Sequence, residues 1–282
     1  MSAKASAIVN GDWVEARLEK GGLTVLDVRF APGKPDYGRT SYEQGHLPGA
    51  VFVDFKKDLT APAQKHGGRS PLPSIKQLAD TLGQLGVSRD RLVVVYDDEG
   101  DPASARLWWI LSYLGHEKVY VLDGGFKAWE REGRPLSTEL TEPEPAVFVP
   151  EPQEDWLADQ EEVKAALDQD RVTLIDSRDL AQYLGEEAPF DPVAGHIPGA
   201  KHYFWKDGRD EQGRWKAADA QKQRFADLPL DQELIVYCGS GISACPNVLA
   251  LKEAGYKNVK LYSGSWSDWI SYQGNPIATG EE

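Results

Sequence analysis

The chain of 282 residues carries the same series of short motifs twice. TVLDVR at residues 24–29 and GHLPGA at residues 45–50 return as TLIDSR at residues 173–178 and GHIPGA at residues 195–200, at offsets of 149 and 150 residues. Further along, VVVYD and LGHEKVYVLDGGFKAW return as LIVYC and AGYKNVKLYSGSWSDW, at offsets of 141 and 140 residues. Four matched motifs in the same order indicate two copies of one domain.

Each copy alternates short runs of β-branched residues with segments of helical period, such as LVVVYDD, ASARLWWILSYLG and VYVLDGG. This alternation is typical of a parallel sheet with helices on both faces. We therefore predict an α/β fold made of two tandem domains, at residues 1–137 and 154–282. The segment at residues 138–153 is rich in proline and glutamate and is predicted to be an extended linker.

Composition argues against several classes of function. A formal net charge of -14 repels phosphate backbones and anionic lipid, so neither nucleic acid nor a membrane is an expected partner. Two cysteines cannot form a disulfide framework, and the five histidines show no spacing of zinc ligands. The N-terminal segment shows no signal-peptide pattern, and no apolar run approaches the roughly 20 residues that span a bilayer. We expect a cytoplasmic monomer.

Cys238 ends an apolar run and begins the segment CGSGISACPNVLALKEAG. Ligands of parallel α/β sheets bind at the carboxyl ends of the strands, which is where this cysteine is predicted to lie. Gly239 and Gly241 tolerate positive φ, so the loop is predicted to curl around the sulfur with its N–H groups pointing inward. Ser243 is predicted to cap the next helix, with Pro246 in its first turn. Converging N–H groups and a helix N-terminus favour the thiolate, which makes Cys238 the candidate nucleophile.

The alternative for Cys238 is burial as a small apolar residue, which is the commoner role of a cysteine in a strand. The glycine loop and the helix after it favour the reactive role. For Cys245 the balance is reversed, because it is predicted in the first helical turn. Packing is its expected role, and service as a resolving thiol for oxidised Cys238 is the alternative.

Four segments, YEQGHLPGAVFV, VLDGGFKAW, LYSGSWSDW and CGSGISA, together resemble the signatures of tandem-domain rhodaneses, the sulfurtransferases of the thiosulfate and 3-mercaptopyruvate group. The resemblance covers nearly the whole chain. It implies a catalytic C-terminal domain and an inactive N-terminal copy, in which Asp97 occupies the position of Cys238. It also implies that Cys238 carries sulfur as a persulfide from a donor to cyanide or a thiol, without a metal or an organic cofactor. The expected anion cradle consists of Gly239, Ser240, Gly241, Ile242 and Ser243.

The chain departs from the family pattern where the donor is bound. The family usually places an arginine at the position of Gln182, and mercaptopyruvate enzymes place a second arginine near residues 189–192, where this chain has PFDP. Ser70 replaces a histidine of bacterial relatives, and the neighbouring His66 is not assumed to substitute for it. The missing arginines favour thiosulfate as the donor, whereas the CGSG form of the loop favours 3-mercaptopyruvate. Arg69 is a candidate anion ligand, and equally a solvated loop arginine.

The repeat separates structural residues from catalytic ones. Arg178 matches Arg29 of the first copy, so we expect it to pair with a carboxylate of its own domain. His46 and His196 stand in the same HxPGA turn of each copy and are interpreted as turn-stabilising residues.

Two other functions compete with sulfur transfer. A cysteine phosphatase needs an arginine that closes the loop to hold phosphate, and that position is Ala244. A persulfide carrier without turnover, or a redox-sensing module, would use Cys238 without rapid catalysis, and the missing arginines are compatible with it.

Overall fold

The computed structural model describes residues 6–281 and contains two compact units. The first unit holds the described residues up to Thr60, together with Pro73–Pro152 and Arg209–Trp215. The second holds Ala61–Leu72, Gln153–Gly208 and the described residues from Lys216 onward. Each unit therefore takes in one short segment from the other half of the sequence. The linker at residues 138–153 stays a prediction. The N-terminal segment without a signal-peptide pattern begins with residues 1–5, which lie outside the described range.

The first unit is built around a five-stranded parallel sheet. Its elements are β1 (Ile8–Val9), α1 (Gly11–Leu18), β2 (Leu23–Asp27), α2 (Tyr37–Gln44), β3 (Val51–Phe52), α3 (Phe55–Asp58), α4 (Ile75–Gln84), β4 (Leu92–Tyr96), α5 (Pro102–Tyr113), β5 (Val119–Leu122) and α6 (Gly125–Arg131). The strand order is β1-β5-β4-β2-β3.

The second unit repeats this arrangement. Its elements are β6 (Leu157–Ala158), α7 (Gln160–Ala166), β7 (Val172–Asp176), α8 (Leu180–Leu184), β8 (Lys201–His202), α9 (Ala218–Arg224), β9 (Glu233–Tyr237), α10 (Cys245–Glu253), β10 (Val259–Tyr262) and α11 (Ser265–Trp269), with 3₁₀ turns at Glu154–Trp156 and Trp205–Gly208. The strand order, β6-β10-β9-β7-β8, corresponds strand for strand to that of the first unit.

The central strands are buried on both faces. In β4, four consecutive residues, Val93, Val94, Val95 and Tyr96, have no exposed surface. Successive side chains of a strand point to opposite faces, so both faces of the sheet are covered, as parallel sheets require. Residues 234–237 of β9 are likewise buried, each at 1% exposure or less. The predicted α/β fold with two tandem domains is confirmed. No helix within residues 6–281 is long and apolar enough to cross a membrane.

The order of the strands reverses its direction between β7 and β9, next to Cys238. The chain runs outward from β7 to β8 and then returns to the other side of β7 as β9, so the direction of strand progression reverses between β7 and β9. Such a reversal is where open α/β sheets bind ligands. Cys238 directly follows β9, and Ser177 directly follows β7 and donates its N–H to the Tyr237 carbonyl at 2.9 Å.

The repeated arginines support the sheets from within. The Arg178 guanidinium binds both carboxylate oxygens of Asp176 and the Gly195 carbonyl oxygen at 2.7 Å, which confirms the expected pairing within its own domain. Burial alone would lower the pKa of Arg178, but the charge of Asp176 outweighs it, so the pKa is raised and the guanidinium stays charged. Arg29 makes the matching bonds to Asp27 in the first unit.

The repeated histidines serve the turns that follow α2 and α8. Nδ1 of His46 lies 2.7 Å from the Tyr42 carbonyl oxygen, and Nδ1 of His196 lies 2.7 Å from that of Tyr183. The His46 ring stacks on Tyr42 and the His196 ring stacks on Tyr183, and both histidines are fully buried. This geometry agrees with turn stabilisation.

Candidate active site

Cys238 lies at the start of the loop between β9 and α10, with 1% of its surface exposed. The N–H of Gly241 donates to its Sγ at 3.1 Å. Gly241 has φ 76, and a Cβ there would collide with the carbonyl oxygen of Ser263. Only glycine fits this combination of backbone angle and space. Gly241 thus adopts the positive φ that both loop glycines were expected to tolerate, whereas Gly239 is not among the residues with positive φ.

Further N–H groups of the loop have no protein acceptor. Within residues 6–281, the N–H groups of residues 239, 240, 242, 243 and 244 donate to no other residue. Residues 239–241 and 244 are buried, while Ile242 and Ser243 are half-buried and form the outer part of the loop. Buried N–H groups are nearly always paired, so the unmet N–H groups of the buried residues 239, 240 and 244 favour an anionic ligand at this loop.

The start of α10 differs from the prediction. Ser243 does not cap the helix: α10 begins at Cys245, and its N-cap is Ala244, with helical backbone angles and no side-chain bond. The loop already curves in the helical sense there, so no side-chain oxygen is needed to turn the chain into the helix. Pro246 does lie in the first turn, as predicted. Cys245 is fully buried and its Sγ donates to the Gly241 carbonyl oxygen at 3.3 Å, a contact that fits the expected packing role.

Ser265 is a residue of this site that the sequence reasoning missed. Its Oγ accepts the N–H of Cys238 at 3.1 Å, donates to the Tyr262 carbonyl oxygen at 2.9 Å and lies 3.9 Å from the Cys238 Sγ. It is the one non-glycine residue with positive φ among residues 6–281, at 57°. The repeat contained the signal, because the matching residue of the first copy is Gly125, with φ 61. A strained residue whose hydroxyl binds Cys238 is a candidate functional residue.

Asp97 occupies in the first unit the place that Cys238 has in the second. Its carboxylate accepts the N–H groups of Gly100, Asp101 and Ser104, at 3.1, 3.1 and 2.9 Å. Gly100 matches Gly241 in the repeat and has nearly the same φ, 74°. The first unit therefore builds a similar cradle and fills it with its own side chain.

Burial raises the pKa of Asp97 to about 7, and the charge of Asp101 acts in the same direction. The bonds from Ser104 and the charge of Arg209 act against it. A carboxylate held by backbone N–H groups cannot carry sulfane sulfur, so the first unit lacks the nucleophile.

Arg69 lies against the Cys238 loop. It belongs to Ala61–Leu72, the segment that the second unit takes from the first half of the chain. Its Nη1 donates to the Gly239 carbonyl oxygen at 3.1 Å and to the carboxylate of Asp191, and its backbone N–H donates to Ser267 Oγ at 3.1 Å. The structure thus brings Arg69 to the predicted loop, and its role as an anion ligand stays a prediction.

Arg209 is the counterpart of Arg69 in the first unit. It follows Gly208 as Arg69 follows Gly68, and the offset of 140 residues equals that of the later motifs. A Cβ at Gly100 would lie 3.2 Å from its Nη1, so this guanidinium also lies against the loop at the end of the central strand. Burial lowers the pKa of Arg209 to about 10, against the charge of Asp97. The repeated Gly-Arg pair could have revealed the equivalence from the sequence.

The other positions considered from the sequence lie as follows. Gln182 is in α8, Ser70 is buried, and His66 places Nδ1 2.8 Å from Ser271 Oγ and stacks on Tyr272. Within residues 6–281, no group of three or more His, Cys, Asp or Glu side chains could hold a metal ion.

Comparison with known proteins gives consistent matches. The model of the rhodanese-like domain matches residues 10–132 and 159–272. A Pseudomonas aeruginosa protein named "Probable 3-mercaptopyruvate sulfurtransferase" is 41% identical over 283 residues, which cover 98% of this chain and 99% of that protein. The thiosulfate sulfurtransferase of Cricetulus griseus is 37% identical over 278 residues, or 94% of this chain and 92% of that one. The crystal structure of a 3-mercaptopyruvate sulfotransferase from Escherichia coli is 31% identical, has a TM-score of 0.83 and covers 93% of this chain and 100% of that chain.

Proposed function

The chain belongs to the rhodanese-like domain family and is a sulfurtransferase, and we propose that it moves the outer sulfur of thiosulfate to a thiophilic acceptor through a persulfide on Cys238. In the first half-reaction the Cys238 thiolate attacks the outer sulfur of thiosulfate. The bond between the two sulfur atoms of the donor breaks, sulfite leaves with the electron pair, and the enzyme holds a persulfide anion. In the second, cyanide or a thiolate attacks the terminal sulfur and returns Cys238 as a thiolate.

One observation carries this proposal: the loop around Cys238 has N–H groups available to bind one further atom. Five loop N–H groups have no acceptor within residues 6–281, while Gly241 already donates to Sγ. In the first unit, the matching N–H groups of Gly100 and Asp101 bind a carboxylate oxygen of Asp97. That oxygen is two bonds from Cβ, and so is the terminal sulfur of a cysteine persulfide. In the first unit, loop N–H groups of this kind thus bind an acceptor atom at this distance, which supports the proposed place of the terminal sulfur.

The choice of donor rests on the missing arginines. A carboxylate donor is best held by a bidentate guanidinium, and Gln182 and Asp191 stand in regions where mercaptopyruvate enzymes are expected to place arginine. Arg69 and the loop N–H groups remain to hold an anion, together with the Ser240 hydroxyl at the edge of the cradle. These features favour thiosulfate. The loop of small residues and the likeness to the Pseudomonas aeruginosa protein favour 3-mercaptopyruvate as the second candidate.

The proposed function also includes a cellular compartment, an oligomeric state and partners. Neither cysteine forms a disulfide within residues 6–281, which fits a reducing compartment, and we propose that the protein acts in the cytoplasm as a monomer. The partners are a small sulfur donor and a thiol or cyanide acceptor. The charge of -14 makes nucleic acid and anionic membranes unfavourable partners.

The experiment is the intact mass of the protein after anaerobic incubation with thiosulfate and, separately, with 3-mercaptopyruvate. We expect a gain of one sulfur atom that is lost when cyanide is added. The Cys238→Ser variant should gain none. Cys245→Ala should gain sulfur like the wild type, because the proposed reaction does not use its thiol, which donates to the Gly241 carbonyl oxygen. Faster loading by thiosulfate would support the proposed donor.

Three results would contradict the proposal in different ways. Faster loading by 3-mercaptopyruvate would replace the donor and leave the persulfide mechanism. No gain with either donor, from folded protein with reduced Cys238, would remove sulfur transfer. Loading followed by slow release to every acceptor tested would indicate a persulfide carrier.

A further inference from the structure

The Arg69 guanidinium contacts the Cys238 loop and forms an ion pair with the carboxylate of Asp191. Arg69 Nη1 bonds both the Gly239 carbonyl oxygen and Asp191, while its Nε and Nη2 donate to no residue within 6–281. The Asp191 carboxylate is 8% exposed and the Arg69 side chain is 34% exposed. Asp191 is therefore the buried partner of the pair, and Arg69 is the partner that solvent and a ligand can reach.

Asp191 and Phe190 both lie close to the Arg69 guanidinium. The ring of Phe190 is 67% exposed and its centroid lies 5.7 Å from the Arg69 Cζ. Asp191 belongs to the segment PFDP, in which the chain has an acidic residue and no arginine. Beside the Cys238 loop, Asp191 thus offsets the positive charge of Arg69 before a donor binds.

We propose that Asp191 is a specificity-determining residue, which offsets the charge of Arg69 and thereby sets how strongly the site discriminates between donors of different charge. This inference rests on the proposed function. Thiosulfate carries two negative charges at neutral pH and 3-mercaptopyruvate carries one, so any change of charge at this position acts twice as strongly, in free energy, on thiosulfate. Asp191 reduces the advantage that the dianion would otherwise have.

The size of the effect follows from Coulomb's law. A unit charge that lies several ångströms from the donor, partly screened by water, changes the rate of loading by about threefold per unit charge of the donor. Asp191→Asn should therefore speed sulfur loading from 3-mercaptopyruvate about threefold and from thiosulfate about tenfold. The ratio of the two second-order rate constants should rise about threefold, and the rise should shrink at high salt.

The test is sulfur loading of Cys238, followed by rapid quenching and intact mass at low donor concentration. Asp191→Glu keeps the charge and should keep the wild-type ratio. The matched control is Asp219→Asn, which also removes one negative charge, but from a carboxylate of α9 that is 95% exposed and pairs with Lys222. It should leave both rate constants within about twofold of the wild type, because solvent screens so exposed a charge.

Arg69→Gln should change the ratio of the two loading rates in the opposite direction. It keeps the test available if Asp191→Asn does not fold. It should lower the ratio of thiosulfate to 3-mercaptopyruvate loading about threefold, because it removes a positive charge at the same place. An unchanged ratio in these variants, from protein that loads both donors, would overturn the role of Asp191. Failure of the wild type itself to gain sulfur would instead overturn the proposed function, so the two failures are distinguishable.

Discussion

Replacing Ser265 by alanine should destabilise the protein more than replacing it by glycine. This order reverses the usual one, in which glycine is the worse residue by about 0.5–1 kcal/mol because it loses more backbone entropy on folding. Ser265 has φ 57, and its hydroxyl binds the N–H of Cys238 and the carbonyl of Tyr262. The two variants lose the same hydrogen bonds, so the difference between them isolates the backbone.

The magnitude can be worked from these contacts. A buried hydrogen-bonding group that loses its partner costs about 1–3 kcal/mol, and both variants leave the Cys238 N–H and the Tyr262 carbonyl without the hydroxyl. Alanine also keeps the left-handed strain of about 1–2 kcal/mol, which glycine does not have. After the entropy of glycine is subtracted, the alanine variant should be less stable than the glycine variant by about 1 kcal/mol.

The assay is urea unfolding of the three proteins, followed by tryptophan fluorescence. Trp266 and Trp269 lie in the same unit as Ser265 and are fully buried, so they report on its packing. With equal m values, the difference in free energy of unfolding is the difference in midpoint multiplied by m. An alanine variant at least as stable as the glycine variant would refute the argument that strain at residue 265 is offset by its hydroxyl.

Two further predictions concern the loops. Gly241→Ala should slow sulfur loading by about 100-fold or more, because the new Cβ displaces the N–H that donates to Sγ, and loss of one such donor costs this much in comparable sites. At Gly239, the nearest atoms to a new Cβ belong to the flexible Arg69 side chain, so Gly239→Ala should slow loading far less, and equal effects of the two variants would contradict the assignment. Because the pKa of Asp97 is raised to about 7 in the folded protein, the folded state binds its proton more tightly than the unfolded chain between about pH 4 and pH 7, and stability falls as pH rises through this window. The wild type should therefore lose more than about 1 kcal/mol relative to Asp97→Asn between pH 4 and pH 8, measured by urea unfolding, and a difference independent of pH would contradict the raised pKa.

Local patterns were sufficient for the frame of the site. The β-branched run before Cys238 predicts a buried strand, and the glycine at residue 241 predicts the turn that brings an N–H to the sulfur. Both inferences depend on residues close together in the chain. The predicted cap at Ser243 was wrong because a capping propensity describes one residue by itself. In the structure the loop already has helical backbone angles at Ala244, which is the N-cap of α10.

Other members of the site come from distant parts of the chain. Arg69 and Asp191 are 122 residues apart, and Ser265 is 27 residues from Cys238. Nothing near Asp191 in the sequence indicates that it pairs with Arg69. The repeat contained more information than the motifs alone used, since Gly125 marks the strained position of Ser265 and Arg209 matches Arg69.

The sequence by itself determined that the chain has two α/β copies, that one copy has cysteine and the other aspartate at the end of the central strand, and that the cysteine begins a glycine loop. These features follow from periodicity, from the repetition of short motifs and from the backbone freedom of glycine, all of which can be read from the order of residues along the chain. The tertiary structure decided which charges surround the loop, because segments 61–72 and 209–215 pack with the other half of the chain. Burial and the closeness of Arg69 to Asp191 depend on that packing, and no local pattern encodes it.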